Sequence, residues 1–187
     1  MTRQRHRVLR LDPVSLAVRA SHVNPGVIPP PGGSSSVSSR ALGPGGLWAT
    51  VGDAGSATLY RFDPASLAVL GRTALPDPGQ VIGVVADSES VWLTGMDWVR
   101  RVDPSGQMAD PTPTPGLQAA AAQGGGLAAL VQEGSGPEAF VQVDAQGNVV
   151  GRSAVGDAGG RLALDGRDVW LLQGPSVAHW TLLVPPP

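Results

Sequence analysis

Short apolar runs recur along the chain, and clusters of Gly, Pro, Asp and Ser separate them. Runs of about four to eight residues predict β-strands, and no window sustains the 3.6-residue period of an amphipathic helix over ten residues. Gly and Pro are abundant, at 26 and 18 of 187 residues, but they fall between the apolar runs as punctuation. The pattern therefore predicts an all-β protein.

An Asp-Pro element recurs with a nearly constant spacing. Its copies contain Asp12, Asp63 and Asp103, with a degenerate copy at Asp144, and the last three are 40 and 41 residues apart. The longer first interval contains the Pro/Gly/Ser-rich residues 24–36, which we interpret as an inserted loop. A second landmark keeps the same period: apolar runs that carry Trp48, Trp92 and Trp170, with residues 127–130 in the remaining position.

Four short strands in each unit of roughly 40 to 45 residues are typical of a β-propeller blade. We predict a single all-β domain over residues 1–187, a β-propeller of about four blades of four antiparallel strands, either closed or part of a larger ring. The alanine-rich residues 118–123 are predicted as a strand despite their helix propensity, because the segment is too short for a helix and the repeat requires a strand there. Residues 1–6 are predicted as a flexible tail, and the predicted blades cover residues 7–20 (partial), 37–74, 80–115, 117–155 and 160–183 (partial).

The Asp-Pro pair has two local interpretations: it can cap a helix, or it can open a tight turn between two strands. Asp103, Pro104 and Gly106 occupy the first, second and fourth positions of a type I turn. Because the four copies occupy one structural position, we predict the turn for all of them. Asp63 is then a turn residue and not a candidate site residue.

Charge and cysteine content exclude several classes of function. The net charge is -2 and the pI near 5.8, so the chain lacks the excess of positive charge that is typical of nucleic-acid-binding proteins. The N-terminal cations are interpreted as a solvated tail. The chain contains no cysteine, which removes disulfides and thiolate chemistry.

No apolar run predicts a membrane span or a secretory signal. We expect a cytoplasmic location by default, or an extracytoplasmic one if the true N-terminus lies upstream.

Three segments carry a family resemblance: VIGVVADSESVWLTG, LYRFDPASLAV and LVQEGSGPEAFVQVDAQGNVVGRSAVG. They resemble the repeats of bacterial propellers of the YVTN and streptogramin-lyase-like class, and the resemblance covers nearly the whole chain. It implies the propeller fold and a binding or accessory role. The lyase members imply a magnesium ion and a histidine base in the central channel. None of His6, His22 and His179 has a matching motif, so we predict no catalytic residue.

Candidate ligand-binding residues lie in the loops. Acidic residues are predicted at both ends of the sheets, and solvated loops are their ordinary interpretation; we assign no metal ligand. A polar ligand or a magnesium or calcium ion remains an alternative near Asp53, Asp97 and Trp98. Trp48, Trp92 and Trp170 repeat in register and are predicted to pack between blades. Trp98 breaks that register beside Asp97, which makes it the candidate for stacking on a ligand.

These observations favour a non-catalytic propeller module that binds an unknown protein or small ligand without a cofactor. Arginine supplies every basic side chain except histidine, and with the resemblance this suggests an accessory or sensor part of a larger, actinobacterial-type protein. The alternatives are a metal-dependent lyase-like propeller enzyme and a gene fragment without function. No nucleic acid and no membrane span is expected. Further propeller blades or self-association are expected, because an open ring exposes apolar blade faces.

Overall fold

A computed structural model describes residues 7–23, 36–53, 56–75, 81–156, 161–165, 168–173 and 176–181. These residues contain seventeen strands and no helix, so no helix there is long and apolar enough to cross a membrane. The predicted tail and almost all of the predicted inserted loop lie outside the described residues. The strands are β1 (Arg7–Leu11), β2 (Val18–Val23), β3 (Ser36–Gly43), β4 (Gly46–Asp53), β5 (Ser56–Phe62), β6 (Val69–Leu75), β7 (Val81–Ala86), β8 (Val91–Gly95), β9 (Trp98–Val102), β10 (Thr112–Pro113), β11 (Leu117–Gln123), β12 (Gly126–Val131), β13 (Glu138–Val143), β14 (Val149–Gly156), β15 (Arg161–Asp165), β16 (Asp168–Gln173) and β17 (Ser176–Thr181).

The strands pair with their neighbours in sequence to form four antiparallel sheets. Sheet 1 consists of β3 to β6, sheet 2 of β7 to β10, sheet 3 of β11 to β14, and sheet 4 of β15 to β17, while β1 and β2 form a separate hairpin. The first strands of successive sheets lie against one another, since β3 contacts β7, β7 contacts β11, and β11 contacts β15. This arrangement, with first strands innermost, confirms the predicted all-β architecture of antiparallel sheets of about four strands.

The second strand of each central sheet is covered on both faces. Every residue of β8 and of β12 is buried, which explains why these strands are continuously apolar and do not alternate. One apolar cluster joins sheets 1 and 2 through Trp48 and Leu93, and another joins sheets 2 and 3 through Trp92 and Val141. The cores of this fold therefore lie between sheets.

The repeating tryptophans face the following sheet. Trp48 and Trp92 are 1% and 0% exposed, and their predicted place between blades is confirmed. The same prediction is wrong for Trp170, which is 42% exposed. The physical reason is its position on the last sheet, where no further sheet of the described chain covers it.

Strand positions follow the sequence pattern with two exceptions. The alanine-rich segment is β11, as predicted from the repeat, and not a helix. The fourth strand of sheet 2, within the predicted blade of residues 80–115, is reduced to β10 and a single bridge between Val102 and Met108. Pro111, Pro113 and Pro115 lack the amide hydrogens that a longer ladder requires. The strand β2 begins at Val18 and continues to Val23, beyond the predicted partial blade of residues 7–20, and the preceding turn extends to Ala17.

Arginines two residues before the Asp-Pro turns connect neighbouring sheets. The Arg10 Nη1 donates a hydrogen bond to the carbonyl oxygen of Ala65 at 2.9 Å, which joins the β1–β2 hairpin to sheet 1. The Arg101 Nη1 donates in the same way to the carbonyl oxygen of Ala145 at 2.8 Å, which joins sheet 2 to sheet 3. Each acceptor belongs to the turn between the third and fourth strands of the following unit.

Threonines in the outer strands make a second set of such contacts. The Thr73 hydroxyl donates to the carbonyl oxygen of Gly106 at 3.1 Å, and the Thr112 hydroxyl donates to that of Gly147 at 2.6 Å. Both acceptors are again turn carbonyls of the following sheet. The turns are therefore the points at which one sheet is hydrogen-bonded to the next.

We expect Arg101→Met to lower the free energy of unfolding by about 1–2 kcal/mol, because it removes a charge-assisted hydrogen bond between two sheets but keeps the aliphatic stem. The matched control is Arg152→Met, which removes only an exposed ion pair with Glu133 (3.1 Å) and should cost less than about 0.5 kcal/mol. Urea unfolding followed by circular dichroism measures both. Equal losses in the two variants would contradict the connecting role of Arg101.

Candidate functional site

The Asp-Pro turns lie at one end of the sheets, and they have two forms. In the first two copies the turn is closed by an i→i+4 hydrogen bond: the Leu16 amide donates to Asp12 O at 3.0 Å, and the Leu67 amide to Asp63 O at 2.8 Å. Leu16 and Leu67 adopt φ values of 56° and 58°, in the left-handed region. This is a single α-turn. The predicted turn is confirmed in all four copies, but in these two it contains one more residue than the type I turn of Asp103 and Asp144.

The side chain of Asp63 organises its turn. Its Oδ1 accepts hydrogen bonds from the amides of Ala65 (3.0 Å) and Ser66 (2.7 Å) and from the Ser66 hydroxyl (2.8 Å). The Oδ1 of Asp12 accepts the corresponding bonds from Val14 and Ser15. This is the geometry of a helix N-cap applied to one isolated turn. The interpretation of Asp63 as a turn residue is confirmed.

The last two copies have the predicted shorter turn. The Gly106 amide donates to Asp103 O at 2.9 Å, and the Gly147 amide donates to Asp144 O at 3.0 Å. The two glycines have φ values of 96° and 90°, which residues with a Cβ rarely adopt. Glycine at the fourth position therefore distinguishes the short form from the long one.

Hydrogen bonding in the turns stabilises the ionised carboxylates. The Ser15 amide, followed by the Arg19 guanidinium, lowers the pKa of Asp12 to about 2. The pKa values of the other three are also lowered, chiefly by the Ser66 amide at Asp63, the Ser105 hydroxyl at Asp103 and the Asn148 amide at Asp144. The turn carboxylates at this end of the sheets thus already accept hydrogen bonds from other groups of the same chain.

The opposite end of the sheets carries the candidate residues Asp97 and Trp98, in the hairpin between β8 and β9. The Asp97 Oδ1 accepts a hydrogen bond from the Gly116 amide at 3.0 Å. The carbonyl oxygens of Asp97 and Met96 accept bonds from the amides of Thr114 and Leu117, each at 2.9 Å. Asp97 therefore fastens this hairpin to the segment that enters sheet 3, and its predicted role toward a ligand stays a prediction.

Trp98 is half-buried and packs against the cluster between sheets 1 and 2. Its indole lies against Gly95, where an added Cβ would collide with the ring. The Arg100 guanidinium lies 5.3 Å from the centre of that ring, in cation–π contact. Met96, in the same hairpin, is 57% exposed. Sequence reasoning missed Gly95, Met96 and Arg100, although the alternation of a strand places residues 98 and 100 on one face.

Asp53, the third candidate, is the last residue of β4 and pairs with Ser56 across the hairpin of sheet 1. That hairpin corresponds to the β8–β9 hairpin of sheet 2, so the candidates lie on equivalent loops of neighbouring sheets. The side chain of Asp53 lies outside the described part of the chain. Its contribution to a ligand site stays a prediction.

A metal-binding cluster is not formed by the described residues. They contain no group of three or more His, Asp or Glu side chains that could hold a metal ion. The described histidines lie on different sheets: His22 packs edge-on against Phe62 at 5.1 Å, and His179 stacks on Trp170 at 4.3 Å. Gly124 and Gly125 form the hairpin turn between β11 and β12, and the Gly125 amide donates a hydrogen bond to Asp87 Oδ2 at 3.2 Å.

No protein-family model and no curated protein matches the chain. Solved structures do align with the chain, at low sequence identity. BamB from Moraxella catarrhalis aligns with a TM-score of 0.62 at 14% identity, over 89% of this chain and 50% of that one. The fold is a β-propeller. A protein of unknown function from Bacteroides caccae aligns with a TM-score of 0.57 at 15% identity, over 90% of this chain and 69% of that one.

The Neurospora crassa Pan2 WD40 domain is also similar, with a TM-score of 0.55 at 13% identity, over 79% of this chain and 50% of that one. The chain spans half the length of the BamB and Pan2 structures that it matches. At these identities the likeness concerns the fold alone. The propeller architecture is therefore established, and the particular repeat class is not decided by these neighbours.

The depressed pKa values predict a stability loss in acid. Because the folded-state pKa values lie below the unfolded value of 3.8, these carboxylates stabilise the fold above about pH 4 and lose that contribution as the pH falls toward about 2. The midpoint of urea unfolding should fall over this interval. In a variant with Asp12→Asn, Asp63→Asn, Asp103→Asn and Asp144→Asn the fall should be smaller, because an amide oxygen still accepts the bonds but does not titrate. The same pH dependence in both proteins would contradict this assignment.

Proposed function

We propose that the chain is a non-catalytic β-propeller module that binds a protein partner through the β8–β9 hairpin of sheet 2. The propeller fold supports this role, because it presents rigid loops at the ends of its sheets. A structure from a nidogen/laminin complex aligns with a TM-score of 0.54 at 10% identity, over 89% of this chain and 66% of that one. Protein recognition is therefore compatible with this architecture. The proposal that the β8–β9 hairpin is the binding site is based on the side chains of that hairpin.

The hairpin combines the residue types that dominate protein interfaces. Met, Trp and Arg are enriched at interface cores and among the residues that contribute most binding energy. Here Met96 is exposed, and Trp98 and Arg100 form a stacked pair beside it. The exposed Met96 beside this pair is the observation that carries the proposal.

The hairpin is also held in place before any partner arrives. Three hydrogen bonds join Met96 and Asp97 to the segment before β11, and Gly95 leaves room for the indole of Trp98. A surface that is already ordered loses less conformational entropy on binding than a free loop does. Asp97 then acts as a positioning residue for the contact surface.

The opposite end of the sheets is a less suitable site. The turn carboxylates there accept hydrogen bonds from their own backbone, and turn carbonyls accept bonds from the preceding unit. A partner at that end would compete with bonds that join the sheets. We further propose that the chain belongs to the YVTN and streptogramin-lyase-like repeat class and serves as an accessory or sensor part of a larger bacterial protein.

The test compares proteins retained from a lysate of the source cells by three immobilised chains: wild type, Met96→Glu, and the control Gln146→Glu. Gln146 is exposed at the opposite end of the sheets, so the control adds the same charge away from the hairpin. A protein retained by wild type and control should then be purified and titrated calorimetrically. We expect Met96→Glu to weaken its binding at least about tenfold, with the control unchanged.

Met96→Glu alters an exposed side chain, and its thermal unfolding should match that of the wild type. An Arg100→Gln variant serves as the second probe, because it removes the cation–π contact without removing Trp98. Equal affinity of wild type, Met96→Glu and Arg100→Gln for every retained protein would overturn the assignment of the hairpin.

A further inference from the structure

The outer face of sheet 4 repeats the pattern of the faces between sheets. Strand pairing places His179 opposite Trp170, as it places Arg61 opposite Trp48 and Arg101 opposite Trp92. In sheets 1 and 2 these tryptophans are buried against the following sheet. In sheet 4, Trp170 is 42% exposed and the His179 side chain 43% exposed. The face has the composition of an inter-sheet contact and is open to solvent.

This open face is ordered by its own contacts. The His179 ring stacks on Trp170 with 4.3 Å between ring centres, and its Nε2 lies 2.8 Å from Asp168 Oδ1. When Nε2–H donates to the Asp168 carboxylate, Nδ1 can donate to a further carbonyl oxygen in the imidazolium form of the ring, in which both nitrogens carry a proton. His179 occupies the position from which Arg10 and Arg101 reach the turn carbonyl of the following unit.

The other end of the row of sheets exposes the complementary surface. The β1–β2 hairpin contacts sheet 1 through Arg10 and through His22, which packs on Phe62. Leu9 and Leu11 alternate with Arg10 along β1, so they lie on the face directed away from sheet 1. Several large apolar side chains of this hairpin and its turn are 45% or more exposed: Leu9, Leu11, Val14, Leu16 and Val18.

We infer that two copies of the chain associate head to tail, with the Trp170–His179 face of one copy packed on the β1–β2 hairpin of the other. The contact continues the interface that already joins the sheets within one copy. His179 would face the turn carbonyl of Val14 in the second copy, as Arg10 faces that of Ala65. Trp170 would lose its exposure against the apolar hairpin, as Trp48 and Trp92 do against their following sheets.

The proposed assembly is a pair of copies. One copy spans half of the BamB chain and half of the Pan2 WD40 chain. Two copies therefore supply the length of such a propeller. Because both ends of each copy take part, two copies related by a two-fold axis make two identical head-to-tail contacts and form a closed pair.

Sedimentation equilibrium of the chain, from about 1 to about 300 µM, tests the inference. We expect the wild type to have twice the monomer mass of 19.0 kDa at the upper concentrations. Trp170→Glu should raise the dissociation constant at least about 100-fold. The matched control is Val150→Glu, because Val150 on β14 is 43% exposed and lies outside both proposed contact surfaces.

A second variant keeps the test decisive if Trp170→Glu unfolds. His179→Arg restores the arginine of the equivalent positions, and we expect it to lower the dissociation constant by about tenfold. A wild type and a His179→Arg variant that are both monomeric throughout would overturn the inference. Equal effects of Trp170→Glu and Val150→Glu, or a mass that grows without limit with concentration, would also overturn it.

Cross-linking determines the orientation. The chain contains no cysteine, so Val14→Cys and Val177→Cys provide single attachment sites on the two surfaces. Val177 is 62% exposed, and strand alternation places it on the face of His179. A short bismaleimide should join the two variants when they are mixed, and should leave either variant alone uncoupled. Coupling of Val177→Cys with itself would show a tail-to-tail pair and overturn the head-to-tail arrangement.

Discussion

Hydrogen bonds from arginine and threonine side chains of one unit to turn carbonyls of the next are the interaction on which the arrangement of the sheets depends. A turn carbonyl can accept this bond only if the turn has one fixed conformation, and the aspartate carboxylate provides that by binding the amides of its own turn. With sheets held at these points, β8 and β12 lie between two neighbours and become continuously apolar. The packing of neighbouring sheets therefore depends on the local conformation of the turns. Arg61 differs from Arg10 and Arg101: its guanidinium lies 5.7 Å from the centre of the Trp48 ring, and Thr73 donates a hydrogen bond that joins sheets 1 and 2.

The same constraint divides the molecule into surfaces with different roles. At the end that carries the Asp-Pro turns, carboxylates and carbonyls are committed to the fold, and the pKa values of the turn aspartates are lowered accordingly. At the other end the β8–β9 hairpin is fixed by backbone bonds while Met96 is exposed. The two lateral surfaces, on the hairpin β1–β2 and on sheet 4, repeat the composition of an inter-sheet contact without being covered to the same extent. The proposed recognition surface therefore lies at an end of the sheets, and the proposed assembly surfaces lie at the sides.

The repeat in the sequence predicted the fold because strand length, apolar composition and turn residues all changed with one period. The alanine-rich β11 shows why the period was needed: its local propensity favours a helix, and pairing with β12 decides otherwise. Glycine at the fourth position identified the short turns of Asp103 and Asp144. Nothing in the local sequence showed that Leu16 and Leu67 take left-handed conformations, which leucine rarely adopts. Both residues close the same type of α-turn, in which their amides donate to Asp12 O and Asp63 O. The exposure of Trp170 was also not predictable from its register, since a blade face is buried only where another sheet packs against it.

Asp97 and Trp98 were placed at the correct end of the sheets, but their contacts with Gly116, Gly95 and Arg100 required the structure.

Hydrogen exchange of the backbone amides, resolved by strand, tests most directly the claim that neighbouring sheets cover and stabilise one another. At low protein concentration the account predicts the slowest exchange in β8 and β12, which have a sheet on both faces, and the fastest in β1 and β17 at the two ends of the row. Exchange in β8 and β12 as fast as in β1 and β17 would contradict it, because the sheets would then open independently of their neighbours.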